Sequence, residues 1–307
     1  MPIEAAKKIW MDGRLVDWDD ARIHILSHVV QYGTGVFEGI RAYETARGPA
    51  VFRLTDHLKR LFRSATLYRI NIPYSLEELA AAVKDTIRAN ELRSCYIRPL
   101  AYHGYGEMGV NLLPSPVNVS IAAWPWGAYL GEESGEVGVR LKVSSWRRHD
   151  PNIVPPAAKA TGQYINSALA KAEAIEAGYD EAIMLNPNGQ VADGTGENLF
   201  AIRDGILLTP PEHAGILLGI TRDSVIRIAS DLGYEVRQRP LVRTDLYIAD
   251  EAFLCGTAAE IVPVREVDNR PVGSGTRGPI TKELQGVFFE AVHGRDERHG
   301  SWNDYVD

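Results

Sequence analysis

Residues Val154–Ser167 read VPPAAKATGQYINS. Pro155 and Pro156 stop any helix arriving from the N-terminal side, and a helical apolar period starts only after Lys159. The lysine therefore stands among Ala157, Ala158 and Ala160, side chains too small to shield or pair it. Lysine is ordinarily a solvated surface charge. Desolvated among apolar atoms it becomes a usable amine nucleophile, and alanine neighbours leave room for a flat ligand. The plainer alternative, a lysine reaching to water from a loop, stays open on composition alone.

Working outward from Lys159, the C-terminal side predicts a helix with Ile165, Leu169, Ala172 and Ile175 on one face and a stop at Gly178. DEAIMLN-PNG-QVAD and NLFAIR-DG-ILLT read as hairpins. Thr221 opens a helix that ends at Gly233. YEVRQRP, EAFLCG and IVPVREV read as strands, and a last helix runs from about Ile280 to Val292. The tail after Gly294 is polar and reads as surface.

On the N-terminal side, KIWMDGRLVDW is a hairpin about Asp12-Gly13, a favoured turn pair. VFEGIRAYE and AVFRL follow as strands. Asp56 is expected to cap a helix carrying Leu58, Leu61, Phe62, Ala65 and Tyr68. Ser75 and Glu78 form a capping box ahead of a helix from Leu76 to Asn90. CYIRPLAYH and NVSIAAW are further strands, so this half has an α+β pattern. PWGAYLGEESGEVG, Pro125 to Gly138, is glycine-rich and aperiodic, and is the best linker. The expected division is a small α+β domain over 1–124, a loop over 125–137 and a large domain over 138–307.

The totals narrow the function classes. The chain has 307 residues and a net charge of -7, with 45% hydrophobic and 24% charged residues. That is a globular protein with a sizeable core, and its acidity argues against nucleic acid or an anionic membrane as partner. Cys95 and Cys255, the two cysteines, lie in apolar runs and read as buried free thiols. No cluster has metal-ligand spacing, so no metal is expected. No apolar run reaches membrane length and no leader follows the first lysines, which points to a cytoplasmic protein.

Other stretches could carry chemistry beside Lys159. In DGTGENLF, Asp193 and Glu197 bracket two glycines. Such carboxylates usually just make turns, yet one could face a cationic ring nitrogen. In LLGITRDSV, Gly219-Ile220-Thr221 leads straight into a helix whose free N–H groups attract phosphate. Gly256 to Glu260, in CGTAAE, is a second small-residue turn after a strand. Arg60 could be a surface residue or a phosphate clamp. Without a reactive lysine, the same helix start would suit a non-catalytic phosphate-binding protein.

Taken together and in order, YGTGVFEGIRAY, YIRPL, WPWGAYLG, AAKATGQYINS, TGENLF, GITRD and GTAAEIVPV resemble the branched-chain amino acid aminotransferases, pyridoxal-phosphate enzymes of fold type IV. The resemblance covers nearly the whole chain. It implies a two-domain α+β and α/β fold with pyridoxal 5'-phosphate at the domain interface. Lys159 would hold the cofactor aldehyde as an internal Schiff base and then shuttle a proton. Arg60, Ile220, Thr221 and Thr257 would hold the phosphate, Tyr164 the ring hydroxyl and Asp193 the ring nitrogen, with Leu217 packed on the ring face.

The resemblance also implies substrate contacts. Tyr96, Thr257 and Ala258 would bind the α-carboxylate, and Arg98 the distal carboxylate of L-glutamate or 2-oxoglutarate. Phe37, Trp126 and Tyr129 would wall an apolar pocket for L-leucine, L-isoleucine or L-valine. Tyr32, Met108 and Val110 would join it, some from a neighbouring subunit of a homodimer or higher homo-oligomer. D-amino acid and (R)-amine aminotransferases share this fold and are the alternative. One departure stands out: the family usually has glutamate where this chain has Asp193, a side chain shorter by about 1.5 Å.

Overall fold

The computed structural model describes residues 3–127, 130–131 and 133–307. The chain divides into two compact units. One comprises Met1–Gly127, Ala158–Gln163 and Glu290–Asp307, and the other Ala128–Ala157 and Tyr164–Phe289. The Lys159 segment therefore belongs to the same unit as the N-terminal strands, as does the C-terminal tail.

The first unit is built on a sheet ordered Asn303–Tyr305, Gly48–Phe52, Ile40–Thr45, Cys95–His103, Val117–Trp124, Lys8–Met11, Arg14–Asp17, with Gly35–Phe37 also paired to Cys95–His103. The predicted hairpin is present: Lys8 pairs with Asp17 and Met11 with Arg14, and the turn residues Asp12 and Gly13 have φ of 45° and 93°. VFEGIRAYE, predicted as one strand, breaks at Glu38-Gly39. Glu38 N donates to Pro99 O at 2.9 Å, and proline has no N–H to return.

Two helices pack on this sheet, Leu54–Leu67 and Leu76–Ala89. In the second, Ser75 Oγ accepts from Glu78 N at 3.1 Å and Glu78 Oε2 accepts from Ser75 N at 2.6 Å, the predicted reciprocal cap. The first starts two residues before Asp56. Arg53, left-handed at φ 51°, is its N-cap, and Asp56 instead accepts from Arg53 Nε at 2.7 Å. The polar tail is also more than surface. Asn303–Tyr305 pairs antiparallel with Gly48–Phe52, and Trp302 and Val306 are buried beside it.

The second unit holds a sheet ordered Val191–Gly194, Glu181–Leu185, Val139–Arg147, Glu260–Val267, Glu251–Gly256, Asn198–Arg203, Ile206–Thr209, Val236–Gln238, with Arg270–Pro271 added beside Glu260–Val267. Both predicted hairpins are in it. The helix Tyr164–Glu176 forms as expected, but its buried face is Asn166, Ser167, Ala170 and Ala174, packed on Ala182 and Met184. The apolar stripe on the other face is turned outward: Ile165, Leu169 and Ile175 are exposed. Small side chains let this helix lie close to the sheet, so the larger ones face away.

The stretch expected to be an aperiodic linker contains a short helix, Ser134–Val137. Cys95 and Cys255 are buried and free, and burial pushes both thiols up to about 12. Among the described residues, no helix is long and apolar enough to cross a membrane, and no group of side chains could hold a metal ion.

Candidate active site

In the first unit, the site begins with how Lys159 is held. Its N–H donates to Ser64 Oγ at 3.0 Å and its carbonyl accepts from Phe37 N at 2.9 Å. Val36 pairs with Ala160, and Thr161 N donates to Gly35 O at 2.8 Å. The segment is thus extended, and side chains alternate faces along it. Ala158 and Ala160 go into the core, both 0% exposed. Lys159 is left on the opposite side, half-buried, with Nζ 5.0 Å from the Phe37 ring centroid. The flanking alanines therefore anchor the backbone rather than surround the amine.

The helix Leu54–Leu67 turns a buried polar stripe, His57, Arg60 and Ser64, toward this segment. The spacing of three and four residues puts them on one face. Arg60 Nε donates to Glu38 Oε1 at 2.7 Å and Nη2 to Oε2 at 2.8 Å, while His57 Nδ1 meets Oε2 at 2.8 Å. Glu38 is 0% exposed and Arg60 7%, so the surface reading of Arg60 fails. Burial pushes the Glu38 carboxyl up, but the charge and hydrogen bonds of Arg60, with those of His57, hold it well below the usual carboxylate range. Burial lowers His57, Glu38 partly opposes this, and the charges of Arg60 and Lys159 lower it further.

Tyr96 and Arg98 share one face of the strand Cys95–His103, with Arg98 Nη2 donating to Tyr96 Oη at 3.3 Å. Gly39 permits this approach, because a Cβ there would sit 2.0 Å from Tyr96 Oη. Arg98 Cζ is 4.6 Å from the centroid of Phe37 and 5.3 Å from that of Tyr96. Tyr96 also lies against Trp126, at 4.6 Å, and Trp124, at 5.3 Å. Phe37, Tyr96, Arg98 and Trp126 thus converge, and Arg98 Nε is buried with no hydrogen-bond partner. Tyr32, Met108 and Val110 are exposed. They form a separate group tied through His28, which stacks on Tyr32 and bonds Gly109 O at 2.8 Å through Nε2. Tyr129 lies outside the described residues.

In the second unit, Asn198 links a strand to the turn that opens a helix. Its strand pairs with Glu251–Gly256, Asn198 opposite Cys255, and the Gly256 turn lies beside Gly196 and Glu197. Asn198 Nδ2 donates to Leu217 O at 2.9 Å, and a Cβ on Gly219 would meet Asn198 Oδ1 at 2.0 Å. Gly219 is the N-cap of the helix Ile220–Asp231 and caps it with no side-chain hydrogen bond. Thr221 is buried in its first turn, Ile220 and Leu217 are half-buried, and Thr257 and Ala258 are half-buried in the turn after Gly256.

Asp193 is 5% exposed. Arg148 donates to it and to its surroundings: Nε to Asp193 Oδ1 at 2.6 Å, Nη2 to Gly194 O at 2.5 Å and Nη1 to Ser167 Oγ at 2.8 Å. Ser167 is one turn along the helix opened by Tyr164, so one guanidinium ties Asp193 to that helix. Glu197 differs: burial, with the nearby charge of Glu181, pushes its carboxyl up to about 8, against opposing pulls from the Gly196 N–H and Lys171. Sequence reasoning missed Arg148, Glu38 and His57. Each pairs across a wide sequence gap, and no local spacing marks them.

Residues 35–267 match the amino-transferase class IV family. The chain is 50% identical over 307 residues to the branched-chain-amino-acid aminotransferase of Escherichia coli K12, covering 100% of this chain and 99% of that one. It is 49% identical over 298 residues to that of Pseudomonas aeruginosa, covering 97% of each. Among solved structures, the Escherichia coli branched-chain amino acid aminotransferase superposes with a TM-score of 0.96 at 50% identity, over 98% of this chain and 100% of that one. The branched-chain amino acid aminotransferase of T.th., with pyridoxamine 5'-phosphate, gives 0.96 at 54% identity over 100% of both. With matches that run the full length at about half identity, the chain belongs to the class IV aminotransferases, in the branched-chain-amino-acid aminotransferase family.

Proposed function

We propose that this aminotransferase moves the amino group of L-leucine, L-isoleucine or L-valine to 2-oxoglutarate, using pyridoxal 5'-phosphate. The observation that carries the substrate reading is the Phe37–Tyr96–Arg98–Trp126 cluster. Aromatic walls suit a hydrocarbon chain, and one arginine with a buried unpaired Nε suits the distal carboxylate of the second substrate.

The donor set fits the cofactor. A dianionic phosphate needs N–H groups and hydroxyls, the donors that the start of the helix Ile220–Asp231, with Gly219 as its N-cap and Thr221 in its first turn, would supply together with Thr257. A pyridinium needs a carboxylate, and Asp193 is held in place by its ion pair with Arg148. When bound, pyridoxal phosphate supplies the aldehyde that takes up the amino group and the ring that draws off electrons. Lys159 Nζ takes the proton from the substrate α-carbon and returns it on the cofactor side. Arg60 adds positive charge toward the phosphate, held in place by Glu38. Tyr164 would bond the ring hydroxyl and Leu217 would pack on the ring. The Tyr96 hydroxyl would bind the α-carboxylate.

A half-reaction screen tests the substrate reading. The cofactor-loaded protein, absorbing at roughly 400 nm, is mixed with single L-amino acids, D-amino acids and amines. We expect L-leucine, L-isoleucine or L-valine to bleach the absorbance fastest. Faster bleaching by D-alanine or an aryl amine would overturn it in favour of the D-amino acid or (R)-amine alternative.

Asp193→Asn should lower kcat by about 10²-fold, the usual cost of losing one fixed charge-stabilising group. Unchanged kcat would shift the ring-nitrogen role to Glu197. We further propose that Tyr32, Met108 and Val110 complete a neighbouring subunit's pocket. Val110→Asp should then lower the sedimentation mass and raise KM for L-leucine together. A variant that keeps the wild-type mass and KM would remove them from the pocket.

A further inference from the structure

The unit that holds Lys159 has a cavity of about 500 Å³ whose polar lining is Thr66, Arg69, Asn71, His103 and Ser115. His103 is 2% exposed, and neither ring nitrogen has a hydrogen-bond partner. Backbone groups of Ser115 and Tyr68 come near the ring, but burial outweighs them and holds it below its usual pKa. Ser115 is also buried, and its hydroxyl is unpaired. Buried polar groups without partners are rare in folded proteins and call for a cause. Arg69 and Asn71 are exposed at its mouth, and their side chains enter no ion pair or hydrogen bond among the described residues, so both are open to a ligand.

Arg69 also holds a costly backbone position. The helix Leu54–Leu67 ends with Ile70 N donating to Ala65 O at 2.9 Å, and Arg69 sits inside that closing turn at φ 54°. Glycine is the usual residue at such a left-handed helix end. An arginine there strains the backbone, as residues at ligand sites often do.

We propose that this cavity binds a small 2-oxo or 2-hydroxy acid. Arg69 takes the carboxylate, and His103 and Ser115 take the neighbouring oxygen. A short hydrocarbon tail lies against Leu113 and Val117, which complete the lining with Ile70. Arg69 is the one charged residue of that lining, so a single negative charge is matched. No carboxylate is present to pair an ammonium, so an amino acid is disfavoured relative to its oxo acid. Because branched 2-oxo acids are products of the proposed reaction, the cavity is a product-sensing site; that regulatory meaning rests on the substrate reading, whereas binding does not.

The test is a histidine-ring NMR titration of the cofactor-loaded protein with 4-methyl-2-oxopentanoate. The His103 signals are assigned by their loss in His103→Gln. We expect saturable shifts of these signals, an apparent Kd raised by about tenfold or more in Arg69→Gln, and a smaller rise in Ser115→Ala. In Lys159→Ala, which cannot convert it, L-leucine at the same concentration should leave His103 unmoved. The proposal is overturned if His103 does not shift, if Arg69→Gln and Ser115→Ala both bind as the parent does, or if L-leucine produces the same shifts in Lys159→Ala. Shifts that persist in a protein failing the L-leucine half-reaction would separate this site from the substrate reading.

Discussion

Replacing Lys159 with alanine is expected to abolish transamination, with a loss on the order of 10⁴-fold or more, because nucleophile and proton carrier go together. The fold should survive. The backbone of Lys159 is fixed by Ser64 Oγ and Phe37 N, and its neighbours Ala158 and Ala160 are the residues committed to the core. An alanine keeps all of these contacts, so Tm should move by no more than about 2–4 °C. Visible absorbance after reconstitution gives a second readout, since the roughly 400 nm absorbance depends on the lysine amine. A variant that keeps both the absorbance and the rate would sink the assignment of Lys159.

Glu38→Ala should have the largest effect on stability. The carboxylate is the shared partner of Arg60 and His57, and all of them are buried. Removing one member of a buried ion pair leaves the other charge uncompensated, at a cost of about 3–5 kcal/mol. Glu38→Gln tests the charge apart from the volume. It should also destabilise, and it should weaken pyridoxal phosphate binding by freeing Arg60 from its orientation. Wild-type urea stability and cofactor affinity in Glu38→Gln would show that Glu38 does neither job.

The same cluster sets a pH response. The folded pKa of Glu38 is depressed, so its contribution is complete above the unfolded value of about 4.3 and is lost as pH falls from there toward the folded value. The folded pKa of His57 is also depressed. Below about 6.5 the unfolded chain binds a proton that buried His57 resists, so this group too lowers stability as pH falls. Acid melts should therefore show a first decline below about 6.5, and His57→Gln should reduce it, leaving the shares of His103 and His149, which burial also holds below their usual values.

Much of this was legible because it is local. The Asp12-Gly13 turn, the Ser75–Glu78 box and the Asp204-Gly205 hairpin each depend on neighbours within a few residues. The ordered motifs around Lys159, Gly219 and Gly256 marked the family. What was not legible depends on partners far along the chain. The outward stripe of the helix Tyr164–Glu176 has a sound helical period, but Ala170 and Ala174 fit more closely against Ala182 and Met184. Glu38 meets Arg60 across 22 residues, and Arg148 meets Asp193 across 45. The shorter Asp193 becomes less puzzling beside Arg148, which supplies the positional restraint that side-chain length alone cannot.

The strand Asn303–Tyr305 bears on how the molecule is made. It covers the outer edge of Gly48–Phe52, and it is synthesised long after that strand. Until those residues leave the ribosome, the N-terminal sheet carries an unpaired edge of the kind that invites association with other chains. The segment Ala158–Gln163, which the same unit needs, also arrives late. A nascent chain stalled before Asn303 should thus be far more prone to aggregation than one that has passed it, and deleting Asn303–Asp307 should impair yield more than its polar character suggests.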